Sequence, residues 1–207
     1  LSENSAELKL PDPRKNEALR STVRTVAALN LSYFGIEFAV ALAIGSVALF
    51  ADSVDFLEDG AVNLLILAGL GFSAARRAKL GMLLAAIILV PALATLWTAW
   101  HNVTTGLVPD AVSLSVTGLG AFVVNLACAR MLAPFRTTGG SLTRAAFLSA
   151  RNDVIANVAI VVAGLLTAAT ASRWPDIIVG LGIAALNAGA AHEVFEAARA
   201  EHTAAKP

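Results

Sequence analysis

An all-α, polytopic membrane protein is the fold class this chain predicts, on three observations. Hydrophobic residues make up 57% of its 207 positions. Charged residues make up only 14%, against about 25% in ordinary soluble domains. Apolar stretches of about 20 residues, each long enough to cross a hydrocarbon core about 30 Å thick, recur six times along the chain.

The first stretch runs from Val23 to Ile44, the second from Val47 to Phe72 and the third from Leu80 to Thr105. The fourth runs from Ala111 to Phe135, the fifth from Leu142 to Ala171 and the sixth from Pro175 to Ala197. Gly45-Ser46 supplies the first turn, Pro109-Asp110 starts the fourth helix, and Trp174-Pro175-Asp176 starts the sixth. Pro91, inside the third, is expected to kink it. Small residues, as in IIVGLGIAALNAGAA from Ile177 to Ala191, let helices approach closely in lipid. Residues 1–21 read as a cytoplasmic N-terminal segment without the short apolar core of a signal peptide. Residues 22–198 read as one six-helix transmembrane domain, and 199–207 as a short cytoplasmic tail with no soluble C-terminal domain.

The net charge is zero and says nothing about nucleic acid, but its distribution is informative. Lys9, Arg14, Lys15 and Arg20 precede the first helix; Arg76, Arg77 and Lys79 lie between the second and third; Arg130, Arg136 and Arg144 surround the fourth connection. The opposite loops hold only Arg173, beside Asp110 and Asp176. The positive-inside rule therefore predicts both termini in the cytoplasm, and an even number of spans agrees. Cys128, the single cysteine, reads as a small buried hydrophobe. His101, His192 and His202 are too scattered for a histidine cluster.

The second stretch holds what an apolar span should exclude. Asp52, Asp55 and Asp59 lie within GSVALFADSVDFLEDGAVNLLILAGLGF, and a carboxylate in hydrocarbon costs several kcal/mol unless it meets a cation, a proton or water. Asp55 and Asp59 are i and i+4 neighbours, with Asp52 on nearly the same face. The fifth stretch carries Ser149, Asp153 and Asn157, also four apart on one face. If the two helices pack together, Asp55, Asp59 and Asp153 converge, with Ser149 or Asn157 adding a fourth oxygen. That set suits a divalent cation, whose carboxylate bonds run to about 2.0–2.2 Å for zinc. The bland alternative is that each acid is a satisfied structural residue.

These residues carry a family resemblance. NLSYFGIEFAVALAIGSVALFADSVDFLEDG, Asn30 to Gly60, resembles the first two helices of the cation diffusion facilitator transporters in its Asn30, Glu37, Gly-Ser turn, Ala-Leu-x-Ala-Asp run and paired acids. SLTRAAFLSARNDVIANVAIVVAG, Ser141 to Gly164, resembles that family's fifth helix, and Asn125 fits an asparagine of its fourth. The resemblance implies a transport site of two residues four apart on each of helices 2 and 5, here Asp55, Asp59, Ser149 and Asp153. Ser149 departs from the family, where His or Asp is common, so Asn157 or Asn152 is an alternative ligand. The absence of a soluble domain and of His or acid in SAARRAKL resembles a short, membrane-only branch, expected to dimerise through its helices.

The remaining polar residues divide as follows. Asp52 is expected near the cytoplasmic entry or as a helix cap. Glu58 projects away from Asp59 towards another helix or a wet cavity. Glu37 reads as a protonated hydrogen-bond donor or a cavity-lining acid. Asn63 is a possible extra oxygen, with interhelical hydrogen bonding the stronger reading. Arg151 is expected to face lipid headgroups or pair with an acid.

Crowded carboxylates cannot all ionise without metal, whereas a divalent ion displaces their protons. The expectation is a secondary transporter, not an enzyme, without prosthetic group, exporting zinc and cadmium in exchange for protons across a bacterial cell membrane. Zinc follows from the family's commonest cargo; an all-oxygen site alone favours manganese, iron or cobalt. A passive cation channel, a metal-dependent intramembrane enzyme and a structural subunit are the competing classes. Asp59-Gly60-Ala61-Val62-Asn63-Leu64 lacks the arginine and later acids of membrane phosphotransferases, and no Gly-x-Gly-Asp element of an intramembrane aspartyl protease is present.

Overall fold

The computed structural model describes residues 13–69, 93–138 and 140–186, which are helices joined by short connections. Helix α1 spans Pro13–Ile44, α2 Val47–Gly69, α3 residues 93–105, α4 Ala111–Leu132, α5 Gly140–Thr170 and α6 Trp174–Leu186. A short 3₁₀ turn, Ala133–Phe135, follows α4. The polytopic all-helical expectation holds. Pro91, the 76–79 loop, His192 and His202, and the C-terminal segment lie outside the described residues, as do the later turns of the second and sixth stretches.

Among the described residues, three segments are long and apolar enough to cross a membrane, Asn16–Ile44, Ala111–Phe135 and Thr143–Thr170, and Trp174–Leu186 is a shorter apolar helix. Helix α2 is as apolar as these except for Asp52, Asp55, Glu58 and Asp59. Helix α1 begins at Pro13, ahead of the first apolar stretch, which opens at Val23. Hydrophobic periodicity does not register these opening turns, but Pro13 suits a first helical position and Glu17, Ala18, Leu19 and Arg20 are good helix formers.

The α1–α2 turn is built from its sequence. Gly45 sits at φ +66°, the left-handed conformation that ends helices, and Ser46 N donates back to Ala41 O at 3.2 Å. Ser46 then caps α2, its hydroxyl accepting from Leu49 N at 3.1 Å, as an N-cap serine does. Asp110 caps α4 in the same way, accepting from Ser113 N at 2.8 Å.

Helix α1 packs along α2 and α4 along α5, while α1–α4 and α2–α5 contacts close a four-helix bundle. Helices α3 and α6 lie against the first turn of α2, where Ala99 and Ile177 cover Val47. Gly180 permits the close approach of α6, because a Cβ there would lie 2.5 Å from the backbone carbon of Val47.

The bundle is apolar outside and polar at mid-height. Val112, Val116, Leu119 and Val123 form an exposed stripe on α4, and Ile155, Val162 and Leu165 are exposed on α5; these surfaces suit lipid. Inside, one apolar cluster includes Val23, Val26, Ile66, Leu132, Ala146 and Ala150. A second, towards the α1–α2 turn, includes Ala41, Leu49, Phe50, Leu114, Ile160 and Ile183. Between them lie buried Asn30, Glu37, Asp52, Asp55, Asp59, Asn63, Asn125 and Asn157.

Candidate cation site

Helices α2 and α5 run antiparallel through this polar layer, so their residues meet turn by turn. Ser149, near the start of α5, is within hydrogen-bonding reach of the Asp59 carboxyl. One turn on, Asp153 is the charged group acting most strongly on Asp55, and Asp59 is the one acting most strongly on Asp153. After a further turn, Asn157 donates through Nδ2 to Asp52 Oδ2 at 2.6 Å. The helical period and the antiparallel crossing together bring the two polar stripes face to face.

Asp55 and Asp59 are buried, 8% and 6% exposed, and Asp52 is fully enclosed. Asp153 is half-buried, and its Oδ2 has no hydrogen-bond partner. No positive side chain ranks among the strongest influences on Asp55, Asp59 or Asp153; the charges acting on them come from other acids, Glu58 included. These acids are electrostatic neighbours rather than a closed coordination sphere. Among the described residues, no three His, Cys, Asp or Glu side chains are drawn together tightly enough to hold a metal ion.

The two amide alternatives for a fourth oxygen part ways. Asn157 has both ends engaged, its Nδ2 on Asp52 and its Oδ1 accepting from Asn125 Nδ2 at 3.1 Å. It therefore orients Asp52 and offers no free oxygen to Asp55 or Asp59. Asn152 is exposed and accepts from Arg151 Nη2 at 3.4 Å, because it lies about 100° round the helix from Asp153. Arg151 itself is exposed. Ser149 is the neutral oxygen beside the acids.

Asp52 is neither a helix cap nor at the end expected for cytoplasmic entry. It lies inside α2, nearer the α1–α2 turn than Asp55 and Asp59, since α2 starts from that turn. Among the described residues Asn63 makes no interhelical bond; its Nδ2 donates to Asp59 O of its own helix at 2.7 Å, and its Oδ1 has no partner. Glu58 is half-buried. Glu37 is fully buried and faces Asp52. Cys128 is buried and reduced, its thiol directed at Asn30 Oδ1 at 3.5 Å.

One residue has a role across the bundle that the sequence reading did not give it. Asp176 of α6 caps a different helix, accepting from Ser46 Oγ at 2.6 Å, Val47 N at 2.8 Å and Ala48 N at 3.1 Å. Asn102 of α3 donates to Gly45 O of the same turn at 2.7 Å. The available signal was an acid in the first turn of α6, on the side of the bundle that also carries the Gly45-Ser46 turn.

Residues 23–200 match the family model described as the cation efflux transmembrane domain. No curated protein matches the chain.

Proposed function

The chain belongs to the cation efflux family, the cation diffusion facilitators, whose members move divalent metal ions across membranes, and from that premise we propose that it exchanges zinc or cadmium for protons. Asp55, Asp59 and Asp153 bind the ion, with Ser149 as the neutral oxygen. The observation that carries this reading is the meeting of Asp153 on α5 with Asp55 and Asp59 on α2, with Ser149 against Asp59, in a layer closed off by apolar clusters at either end.

Three like charges at close quarters in a low dielectric repel strongly. A divalent ion removes that repulsion, and protons do the same one carboxyl at a time. The two ligands therefore compete, and alternate exposure of the layer to the two sides of the membrane makes competition into exchange. The protein is on this reading a secondary active transporter. A bacterial cell membrane as its place, and pairing of two copies through their helices, complete it.

Manganese is the second reading, favoured by one observation: the donors are all oxygens, which suit hard cations better than imidazole or thiolate sites do. Calorimetry with zinc, cadmium and manganese on the purified protein separates the two. Asp55→Ala, Asp59→Ala and Asp153→Ala should each abolish or severely weaken binding. Full binding in any of them removes that residue from the site. Proteoliposomes should show metal movement with proton counterflow; metal uptake indifferent to pH and without counterflow refutes the exchange.

A further inference from the structure

The cargo residues leave a second pair of buried acids unused. Glu37 of α1 and Asp52 of α2 are both 0% exposed and within hydrogen-bonding reach of one another. Glu37 Oε1, Glu37 Oε2 and Asp52 Oδ1 have no donor. Only Asp52 Oδ2 is served, by Asn157 Nδ2 at 2.6 Å. Asn125 holds that amide in place by donating to its Oδ1 at 3.1 Å, so an N–H rather than a carbonyl faces the carboxyl.

Ionised carboxylates only accept hydrogen bonds. Two of them in contact and enclosed, with Asn157 Nδ2 as the one donor to the pair, require a positive charge between them, and the smallest that fits a carboxyl–carboxyl hydrogen bond is a proton. Among the described residues, the charged or titratable groups facing the pair supply no such charge: Tyr33 on α1, Asp55 and Asp59 on α2, and Asp153 on α5. Helix α4 contributes the neutral Asn125, through Asn157. The Tyr33 hydroxyl is turned away, donating to Thr117 O at 2.6 Å.

We propose that Glu37 and Asp52 share one proton and form a proton-binding site of the exchange, separate from the cargo residues and steadied by Asn157 and Asn125. This rests on the exchange reading above. The pair lies about one helical turn from Asp55 along α2, so a divalent ion at the cargo residues and the shared proton disfavour each other. By reciprocity, the factor by which metal weakens proton binding is the factor by which the proton weakens metal binding.

The test counts protons. Zinc binding to the purified chain is measured by calorimetry in two buffers of different ionisation enthalpy, which gives the protons released per ion. Glu37→Gln and Asp52→Asn each replace one carboxyl of the pair by an amide that donates to its partner without a titratable proton, and Asp55→Asn serves as the cargo control. Both pair variants should still bind zinc, with an affinity that rises less steeply with pH, and release one proton fewer per ion than the wild type, while Asp55→Asn loses binding. In proteoliposomes the proton counterflow per metal should fall in the same two variants. Unchanged proton release in either folded variant overturns the pair and leaves the cargo reading standing. Loss of zinc binding in Glu37→Gln, matching Asp55→Asn, also overturns it, since Glu37 then belongs to the cargo site. A wild type that binds zinc without releasing protons refutes the exchange itself and the pair with it.

Discussion

Removing the Asp176 carboxyl should loosen the start of α2 more than any ordinary cap mutation would. Asp176 accepts three hydrogen bonds there, from Ser46 Oγ, Val47 N and Ala48 N, and is itself 0% exposed. In Asp176→Ala all three donors lose their acceptor in a buried setting, and a buried unsatisfied donor costs about 1–3 kcal/mol. The Ser46 hydroxyl can rotate towards another acceptor, so two backbone N–H groups carry most of the penalty. A loss of about 2–5 kcal/mol follows, above the roughly 0.5–2 kcal/mol of a lone N-cap. Ser46→Ala should cost less, because Asp176 keeps both backbone donors. The assay is thermal unfolding in detergent, with amide hydrogen exchange at Val47 and Ala48 as the local reporter. If Asp176→Ala unfolds at the wild-type temperature and those two amides stay equally protected, the clamp does not hold α2 and the reasoning fails.

Three further outcomes are expected. Ser149→Ala should weaken metal binding more than Asn157→Ala in calorimetry, since Ser149 lies against Asp59 whereas Asn157 is spent on Asp52 and Asn125. Gly180→Ala should destabilise the protein by about 1–3 kcal/mol in thermal unfolding, because the new Cβ would meet the Val47 backbone at 2.5 Å and backbone cannot give way as a side-chain tip can. The Ser113 hydroxyl and N–H hold the exposed Asp110 carboxyl below its ordinary value. Its capping contribution is then fully present above the usual carboxylate range near pH 3.9 and lost as pH falls through the depressed value. Carboxyl titration by NMR should place its midpoint below that of an unfolded aspartate.

The sequence reveals the polar layer because helical spacing is a local property. Asp55 and Asp59 share a face whatever surrounds them, as do Ser149, Asp153 and Asn157. Their meeting needed only the antiparallel packing of α2 on α5. Direction within a side chain is another matter. Asn157 carries a donor and an acceptor, and only its neighbours Asp52 and Asn125 decide which end faces the acids. Asp176 was illegible for a stronger reason: it caps a helix 128 to 130 residues away in sequence, and no local pattern names that partner. The early start of α1 escaped because its opening turns are polar, and polar turns leave no mark on hydrophobic periodicity.

The two apolar clusters that bracket the acids lie like stoppers at either end of a short polar layer. Narrow spaces lined by valine, leucine and isoleucine shed water, and an ion stripped of water does not enter them. Leu132 of one cluster and Ile160 of the other are each fully enclosed. On the proposed exchange, ion passage requires one stopper to be withdrawn while the other stays seated, so that the bundle resists leaking even while it holds its charge at the centre.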